Sequence, residues 1–262
     1  MISMEMLSII GPAVLAGILI ALIHAPLGIE VLKRGIIFID LAIAQIAGLG
    51  YVFSSVMFHE PSQWLKQIIA LCFAIFAGLF FRKVESVTPK FQEAVIGVSF
   101  VLASSLSILL LANHPHGIEI IRHLLSGQML FITYENLLLH APIYFFIMYV
   151  WFKKPLWKKG LGFYILFALA ITSSVQLVGI YVVFVSLVLP ALAVVNSKNP
   201  YKEAWLCSII SIFVGVILST AIDAPAGPVI VVSYVVICSL ISSYVIIIHL
   251  QLNLMLLDYH PL

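Results

Sequence analysis

The sequence predicts an all-α, polytopic membrane protein with about nine transmembrane helices. Hydrophobic residues make up 63% of the 262 residues and charged residues only 9%, and the mean hydropathy is +1.19. A water-soluble domain cannot cover a core of that composition with so few charges. No polar block is long enough to fold as a soluble unit, so we expect residues 1–262 to form a single transmembrane domain.

Apolar runs of about 20 residues are long enough to cross a bilayer as helices. The runs lie at roughly 7–26, 35–58, 64–81, 93–112, 135–152, 161–174, 177–195, 204–222 and 227–249. Gly and Pro mark connections between them, as at Pro26-Leu27-Gly28. Only Ser173, Ser174 and Gln176 interrupt the sixth and seventh runs, which form either two spans or one long broken helix. We favour two spans.

The distribution of basic residues predicts the orientation, because Lys and Arg are retained on the cytoplasmic side. Alternate connections hold eleven of the 13 Lys and Arg residues, namely Lys33, Arg34, Arg82, Lys83, Lys90, Lys153, Lys154, Lys158, Lys159, Lys198 and Lys202. The other connections hold only Lys66 and Arg122. With nine spans, this pattern places the N-terminus outside the cell and the C-terminal segment 249–262 in the cytoplasm.

Asp40 and Gln45 are polar residues within the second apolar run. A carboxylate at membrane depth costs about 2.5–3.5 kcal/mol on insertion scales, so it normally faces a protein partner, a water-filled cavity or a passing ion. If residues 33–40 form one helix, Asp40 lies about 10 Å above Lys33, near the inner third of the bilayer. Carboxylate and amide oxygens are suitable ligands for divalent cations. Asp40 and Gln45 are therefore candidate metal ligands, and a structural contact between helices is the alternative for each. They lie about 140° apart around a helix, so both cannot point squarely into one pore.

Two exposed segments differ in character. Residues 113–135, on the predicted outer side, include His114, His116, Glu119, Arg122 and His123. These side chains could bind metal, dock a partner or simply be solvated, and their spacing matches no defined zinc pattern. The cytoplasmic segment 152–162 carries Lys153, Lys154, Lys158 and Lys159, which positive-inside anchoring explains.

Several catalytic patterns are missing from the sequence. There is no P-loop of the form G-x-x-x-x-G-K-[ST] and no H-E-x-x-H pattern. The three cysteines lack C-x-x-C spacing, so neither a disulfide framework nor a zinc knuckle is predicted. Any ATP hydrolysis that drives this chain must therefore come from another subunit.

Five segments, in order over some 200 residues, resemble the permease subunits of ABC importers for zinc, manganese and iron. They are Leu27-Gly28 with Lys33-Arg34-Gly35 and Asp40 to Gly48; Glu93-Ala94-Val95-Ile96-Gly97; Leu124 to Leu130; Val178-Gly179 through Leu189-Pro190-Ala191; and Asp223-Ala224-Pro225-Ala226-Gly227-Pro228. The common form of the first segment has an acid followed four residues later by His. Here position 44 is Ala, and Gln45 stands one residue further on.

The resemblance implies a permease that is not an enzyme and that binds no cofactor of its own. Its substrate would be a divalent metal ion, with zinc, manganese and iron left open. Its partners would be a cytoplasmic ATP-binding subunit, an external metal-binding protein and a second copy of the chain, in the cell membrane and without nucleic acid. By position, the outer segment would dock the binding protein and the four lysines of segment 152–162 would couple to the ATPase. Glu93 would act in metal exit or ATPase contact, or would simply be an acid at a helix end.

Two other classes of protein remain as alternatives. A membrane-embedded enzyme would need a nucleophile–base pair or a metal constellation at membrane depth. An ion-coupled secondary transporter usually carries more intramembrane charges and an internal repeat.

Overall fold

The computed structural model describes the backbone of residues 4–58 and 61–258 and the side-chain surroundings of residues 10–58 and 61–243. Within these residues the chain is all-helical, with nine α-helices and three short 3₁₀ turns. The α-helices are α1 (Met4–Arg34), α2 (Ile39–Met57), α3 (Gln63–Val87), α4 (Gln92–Leu111), α5 (Gly117–Ser126), α6 (Tyr134–Lys153), α7 (Gly160–Ala193), α8 (Pro200–Ala221) and α9 (Ala226–Asp258). The prediction of an all-α membrane protein is confirmed.

Helix α1 is longer than predicted, because the expected turn at Pro26-Leu27-Gly28 is wrong. Pro26 lies inside the helix, which continues to Arg34. Membrane helices tolerate an internal proline when neighbouring helices satisfy the freed backbone groups. Gly28 also has a packing role: a Cβ there would collide with the backbone of Leu187 and meet Ala191 at 3.3 Å. The Pro-Gly pattern therefore marks a close helix contact.

The turn between α1 and α2 changes the predicted position of Asp40. Gly35 adopts φ +67°, and the chain forms turns through residues 35–38 before α2 begins at Ile39. Lys33 and Asp40 therefore do not share a helix, and the continuous helix on which the spacing of about 10 Å was based is wrong. Asp40 lies in the first turn of α2.

Helix α7 forms the centre of the described bundle. It packs against the largest set of neighbours, namely α1, α2, α3, α5, α6, α8 and α9. Most of its residues are buried, including the predicted interruption at Ser173 and Ser174. The helix is interrupted instead at Gly179, whose φ of 78° and ψ of 166° are not helical. That region of backbone conformation is essentially restricted to glycine.

The chain folds back at Gly179. In a straight helix, Ser174 and Ser186 would lie about 18 Å apart along the axis. Both hydroxyls instead contact the imidazole ring of His24. The two ends of α7 also lie on the same side of the bundle, because Phe152 before α7 packs against Tyr201 after it. We call residues 180–193 the short arm of α7. It is about 21 Å long, less than the roughly 30 Å hydrocarbon thickness.

Seven of the described helices are long and apolar enough to cross a membrane: those within α1, α2, α3, α4, α7, α8 and α9. Helix α6 has 20 residues and is less apolar, with Glu135 and His140 in its sequence. The last helix extends past the predicted end at residue 249 to Asp258, and residues 259–262 lie outside the described residues. The count of nine spans and the orientation of the termini stay predictions.

Candidate functional site

The carboxyl group of Asp40 is buried without a side-chain partner. Its side chain is 0% exposed, and no other side chain forms a hydrogen bond with Oδ1 or Oδ2, although the backbone N–H groups of Asp40 and Leu41 lie close to them. None of the ion pairs formed by the described residues includes Asp40. Its place in the first turn of α2 offsets part of the cost of burying the carboxylate, because the positive end of a helix dipole stabilises a nearby anion by about 0.3–1 kcal/mol. That is less than the insertion cost of a carboxylate, so most of the burial remains uncompensated.

A second carboxyl group, that of Glu93, lies beside the start of α2. The backbone N–H of Phe38 donates to Glu93 Oε1 at 3.3 Å, whereas Glu93 Oε2 is buried without a partner. Glu93 is in the first turn of α4, as Asp40 is in the first turn of α2. The phenyl ring of Phe38 also stacks on Phe184 of the short arm, with centroids 6.3 Å apart. The N-termini of α2 and α4 thus place two acids near the short arm.

Gln45 lies one and a half turns beyond Asp40 on the same helix. It is also buried, at 7% exposure. Ala44 between them is fully buried and contributes no ligand atom. The described residues contain no group of three or more His, Cys, Asp or Glu side chains that could hold a metal ion. A cation at Asp40 would therefore meet few protein ligands within one copy of the chain.

The outer segment 113–135 is ordered into a helix rather than a loop. His116 caps the N-terminus of α5, and Glu119 lies 3.6 Å from both His116 Nδ1 and His123 Nε2. His114 Nδ1 accepts a hydrogen bond from the backbone N–H of His116. Glu119 and Arg122 line two cavities, of about 450 and 590 Å³. The five predicted outer residues therefore lie together on one helix and its N-terminal turn.

Comparison with protein-family models identifies the chain. The model of the ABC 3 transport family matches residues 6–159 and 156–246. The chain belongs to the ABC 3 transport family. It is thus a multi-pass membrane permease of an ABC transporter and not an enzyme, which sets aside both alternatives left open by the sequence.

Two solved structures share the fold of this permease. PsaBC from Streptococcus pneumoniae, in complex with Fab, has a TM-score of 0.68 at 17% identity over 88% of this chain and 90% of that chain. A protein described as a metal-chelate type ABC transporter, in an inward-facing conformation, has a TM-score of 0.65 at 13% identity over 89% of this chain and 84% of the other. A comparison with curated proteins gave no match.

The basic segment of the permease joins α6 to α7. Lys153 ends α6, Lys158 lies in a 3₁₀ turn and Lys159 caps α7, while Lys153, Lys154 and Lys159 are exposed. The ammonium of Lys158 lies 5.3 Å from the ring of Trp151. These positions leave three lysine side chains free of the bundle surface.

Arg34 connects this basic segment to the rest of the permease. Its guanidinium donates to the carbonyl of Lys158 at 2.7 Å, to Glu30 at 3.0 Å and to Glu85 at 3.5 Å. It also lies 4.1 Å from the ring centroid of Phe163. One side chain thereby joins α1, α3, the 3₁₀ turn and α7. The sequence identified Arg34 as a topology signal and as part of the first segment of the resemblance, but not as a structural contact.

Sequence reasoning also missed a buried polar network in the permease. His24 Nδ1 lies 2.7 Å from Ser186 Oγ, and His24 Nε2 lies 3.0 Å from Ser174 Oγ. Tyr144 OH lies 2.9 Å from Ser174 Oγ. The available signal was the run of hydroxyl residues 172–174 in an otherwise apolar helix, which the sequence reading took as an interruption between spans.

Proposed function

We propose that this permease carries a divalent transition-metal cation, and that the cation passes Asp40. The observation that carries the proposal is a fully buried carboxyl group whose two oxygens have no side-chain partner. An acid kept in a membrane protein at that cost normally serves a charged or polar group that is absent from the chain itself. In a transporter, that group is the cargo.

The arrangement favours brief rather than tight binding. Asp40 supplies two carboxylate oxygens, and Glu93 Oε2 is a further unpartnered oxygen near the start of the same helix. Structural metal sites use more ligands in fixed geometry. A cation held by few ligands and by water leaves readily, as transport requires.

The ligand chemistry leaves zinc, manganese and iron as cargo. Carboxylate and amide oxygens suit manganese, whereas imidazole suits zinc and iron. Ala44 removes the imidazole that the common form of the second-helix signature would supply, and Gln45 is the remaining polar candidate. Gln45 contributes an amide oxygen if α2 rotates or if a second copy of the chain faces it.

The partners we propose are an external binding protein, a cytoplasmic ATPase and a second copy of the permease. The binding protein docks on α5 and its preceding turn, where His114, His116, Glu119, Arg122 and His123 lie together beside two cavities. The ATPase contacts the exposed lysines Lys153, Lys154 and Lys159, with Lys158 holding the segment against Trp151. Helices α3, α4 and α9 are the least buried of the seven candidate spans, so their outer faces are available to lipid or to a second copy.

Reconstitution into vesicles followed by uptake assays tests this function. The permease, expressed with its ATPase and binding protein, is reconstituted into vesicles, and uptake of radioactive zinc, manganese and iron is measured with and without ATP. We expect ATP-dependent uptake of at least one of these metals. Uptake that continues when the ATPase is disabled would contradict the proposal. Competition among the three metals then identifies the preferred cargo.

A further inference from the structure

The short arm of α7 has almost no polar side chain with which to fix its position. Among residues 180–193, only Tyr181 and Ser186 are polar, and Tyr181 is 48% exposed. Apolar contacts alone do not drive helix association in a membrane, because lipid tails are as apolar as the side chains. Ser186 is therefore the residue that can set the height of the arm.

Gly28 sets how closely the arm approaches α1 but does not set its height. A Cβ at Gly28 would collide with the backbone of Leu187, so the two helices are in backbone contact there. Small residues permit such close approach between membrane helices. Tight packing opposes separation of the two helices, and a directional bond additionally opposes sliding along the contact. The bond between His24 and Ser186 is such a bond.

The hydrogen bonds of Ser186 determine the tautomer of His24. The Ser186 hydroxyl donates its proton to the carbonyl of Val183 at 3.0 Å. A hydroxyl has one proton, so at His24 the Ser186 oxygen must accept. His24 Nδ1 therefore carries a hydrogen and donates to Ser186 across 2.7 Å.

The other ring nitrogen completes the chain. His24 is 0% exposed, and burying an imidazolium with no carboxylate beside it is costly, so the ring is neutral. Its Nε2 then accepts from Ser174 at 3.0 Å. Because the Ser174 hydroxyl already donates its proton to His24 Nε2, the Tyr144 hydroxyl donates to the Ser174 oxygen at 2.9 Å. With this tautomer the hydrogen bonds run in one direction, from Tyr144 to the carbonyl of Val183.

We infer that His24 is a positioning residue: as a neutral imidazole protonated at Nδ1, it fixes the short arm of α7 at one height against α1 and the long segment of α7. The ring joins three pieces of the bundle, since Ser174 precedes the fold-back at Gly179 and Ser186 follows it. The start of α2 packs on the same arm through Phe38 and Phe184. The arm's height therefore bears on the surroundings of Asp40.

A matched pair of histidines provides the control. His140 Nδ1 lies 2.8 Å from Ser173 Oγ, and His140 is also buried. This pair has the same chemistry as His24 and Ser186, but it joins α6 to the long segment of α7. Removing it breaks an equivalent bond that has no direct contact with the short arm, while Tyr144 lies between the two pairs through Ser173 and Ser174.

The first test is spectroscopic and does not depend on transport. The protein is labelled with ¹⁵N-histidine in lipid nanodiscs, and the His24 signals are identified by their loss in His24→Asn. We expect one protonated ring nitrogen, Nδ1, and one unprotonated nitrogen, Nε2. An Nε2-protonated ring or an imidazolium would overturn the inference.

The second test measures hydrogen–deuterium exchange of the backbone amides in residues 180–193. His24→Leu is expected to raise their exchange about three-fold, the factor that an average membrane hydrogen bond is worth. Ser186→Ala gives the same rise and serves if His24→Leu does not fold. His24→Asn keeps an N–H donor near the Nδ1 position and so restores slow exchange. His140→Leu leaves the exchange of this segment unchanged. Equal exchange in His24→Leu and the unmodified protein, or an equal rise in His140→Leu, would overturn the inference.

The effect on transport rests on the proposed function and is measured separately. Ser186→Ala is expected to lower ATP-dependent metal uptake about three-fold, and His24→Asn to retain it. If the unmodified complex shows no uptake, the proposed function fails, while the tautomer and exchange results still decide the role of His24. If the amide exchange of residues 180–193 rises in Ser186→Ala and metal uptake stays normal, the height of the short arm does not bear on transport.

Discussion

Replacing Asp40 with Asn should separate folding from transport. The change removes one charge and alters the side-chain volume little. No other side chain bonds the carboxyl oxygens, and an asparagine Oδ1 can still accept from the nearby backbone N–H groups of Asp40 and Leu41, so the substitution breaks no bond to another side chain. It removes a burial cost of about 2.5–3.5 kcal/mol, of which the helix dipole of α2 offsets about 0.3–1 kcal/mol and burial of the new amide offsets a further share. We therefore expect the variant to be as stable as the unmodified permease, or more stable by roughly 1–2 kcal/mol.

Transport should respond in the opposite direction. A charged ligand contributes about 1.5 kcal/mol more than a neutral one, which corresponds to about ten-fold in cation affinity. Two unit charges at 4 Å and an effective dielectric constant of 20 interact by about 4 kcal/mol, or about a thousand-fold in affinity, and a divalent cation interacts more strongly still. The half-saturating metal concentration for uptake in vesicles should therefore rise at least about ten-fold in Asp40→Asn.

Glu135→Gln is the matched control, because Glu135 is also in the first turn of a helix but is exposed. It should change neither thermal stability in detergent nor uptake. Two outcomes would refute the reasoning about Asp40. Uptake at the unmodified rate in Asp40→Asn would remove the residue from the pathway. A clear loss of thermal stability would mean that the carboxylate has a partner on which folding depends.

Three other substitutions test the fold and the docking surface. Gly179→Ala should destabilise the permease by more than about 3 kcal/mol in detergent melting, because φ is +78° and a Cβ would meet the backbone at the C-cap of α5. The control Gly97→Ala has open space around the new methyl group and should stabilise the permease by about 0.5–1 kcal/mol. Similar melting temperatures for the two variants would contradict the packing at Gly179. Arg34→Lys should cost about 1–2 kcal/mol in the same assay, since an ammonium cannot reproduce the contacts to three acceptors and a ring, and an unchanged melting temperature would show that those contacts are not formed together. Glu119→Gln should weaken the affinity for the external binding protein by up to about five-fold at low salt, and by less at high salt. The affinity is measured with the permease immobilised on a surface. A change in affinity that does not depend on salt would exclude an electrostatic role.

The sequence predicted helices well because membrane spans depend on composition over about 20 residues. It predicted their ends less well, because Pro and Gly have two meanings in a membrane. Pro26 and Gly28 indicated a turn, yet α1 continues through both, since Gly28 provides a close contact with α7. Gly35 looked like part of a span, yet its positive φ allows the turn that begins α2. Composition alone cannot distinguish these cases.

The candidate site was predicted in part. Asp40 was found because an acid in an apolar run is conspicuous, and the structure keeps it buried without a side-chain partner. The network around His24 was not found, since its bonds join residues 150 and 162 positions apart. Ser174 and Ser186 look ordinary in sequence, because hydroxyls are common in membrane helices. Their role depends on the fold-back at Gly179, which no local pattern at the serines reveals.

The contact between Gly127 and Gly179 limits which substitutions the chain can accept during evolution. Both residues have positive φ, and a methyl group on either would strike the main chain of the other. Crowding in a protein interior is usually relieved by trimming the opposing side chain. Here neither residue has a side chain to shorten, so a smaller residue at one position cannot compensate for a substitution at the other. Both positions where the two backbones cross are therefore restricted to glycine.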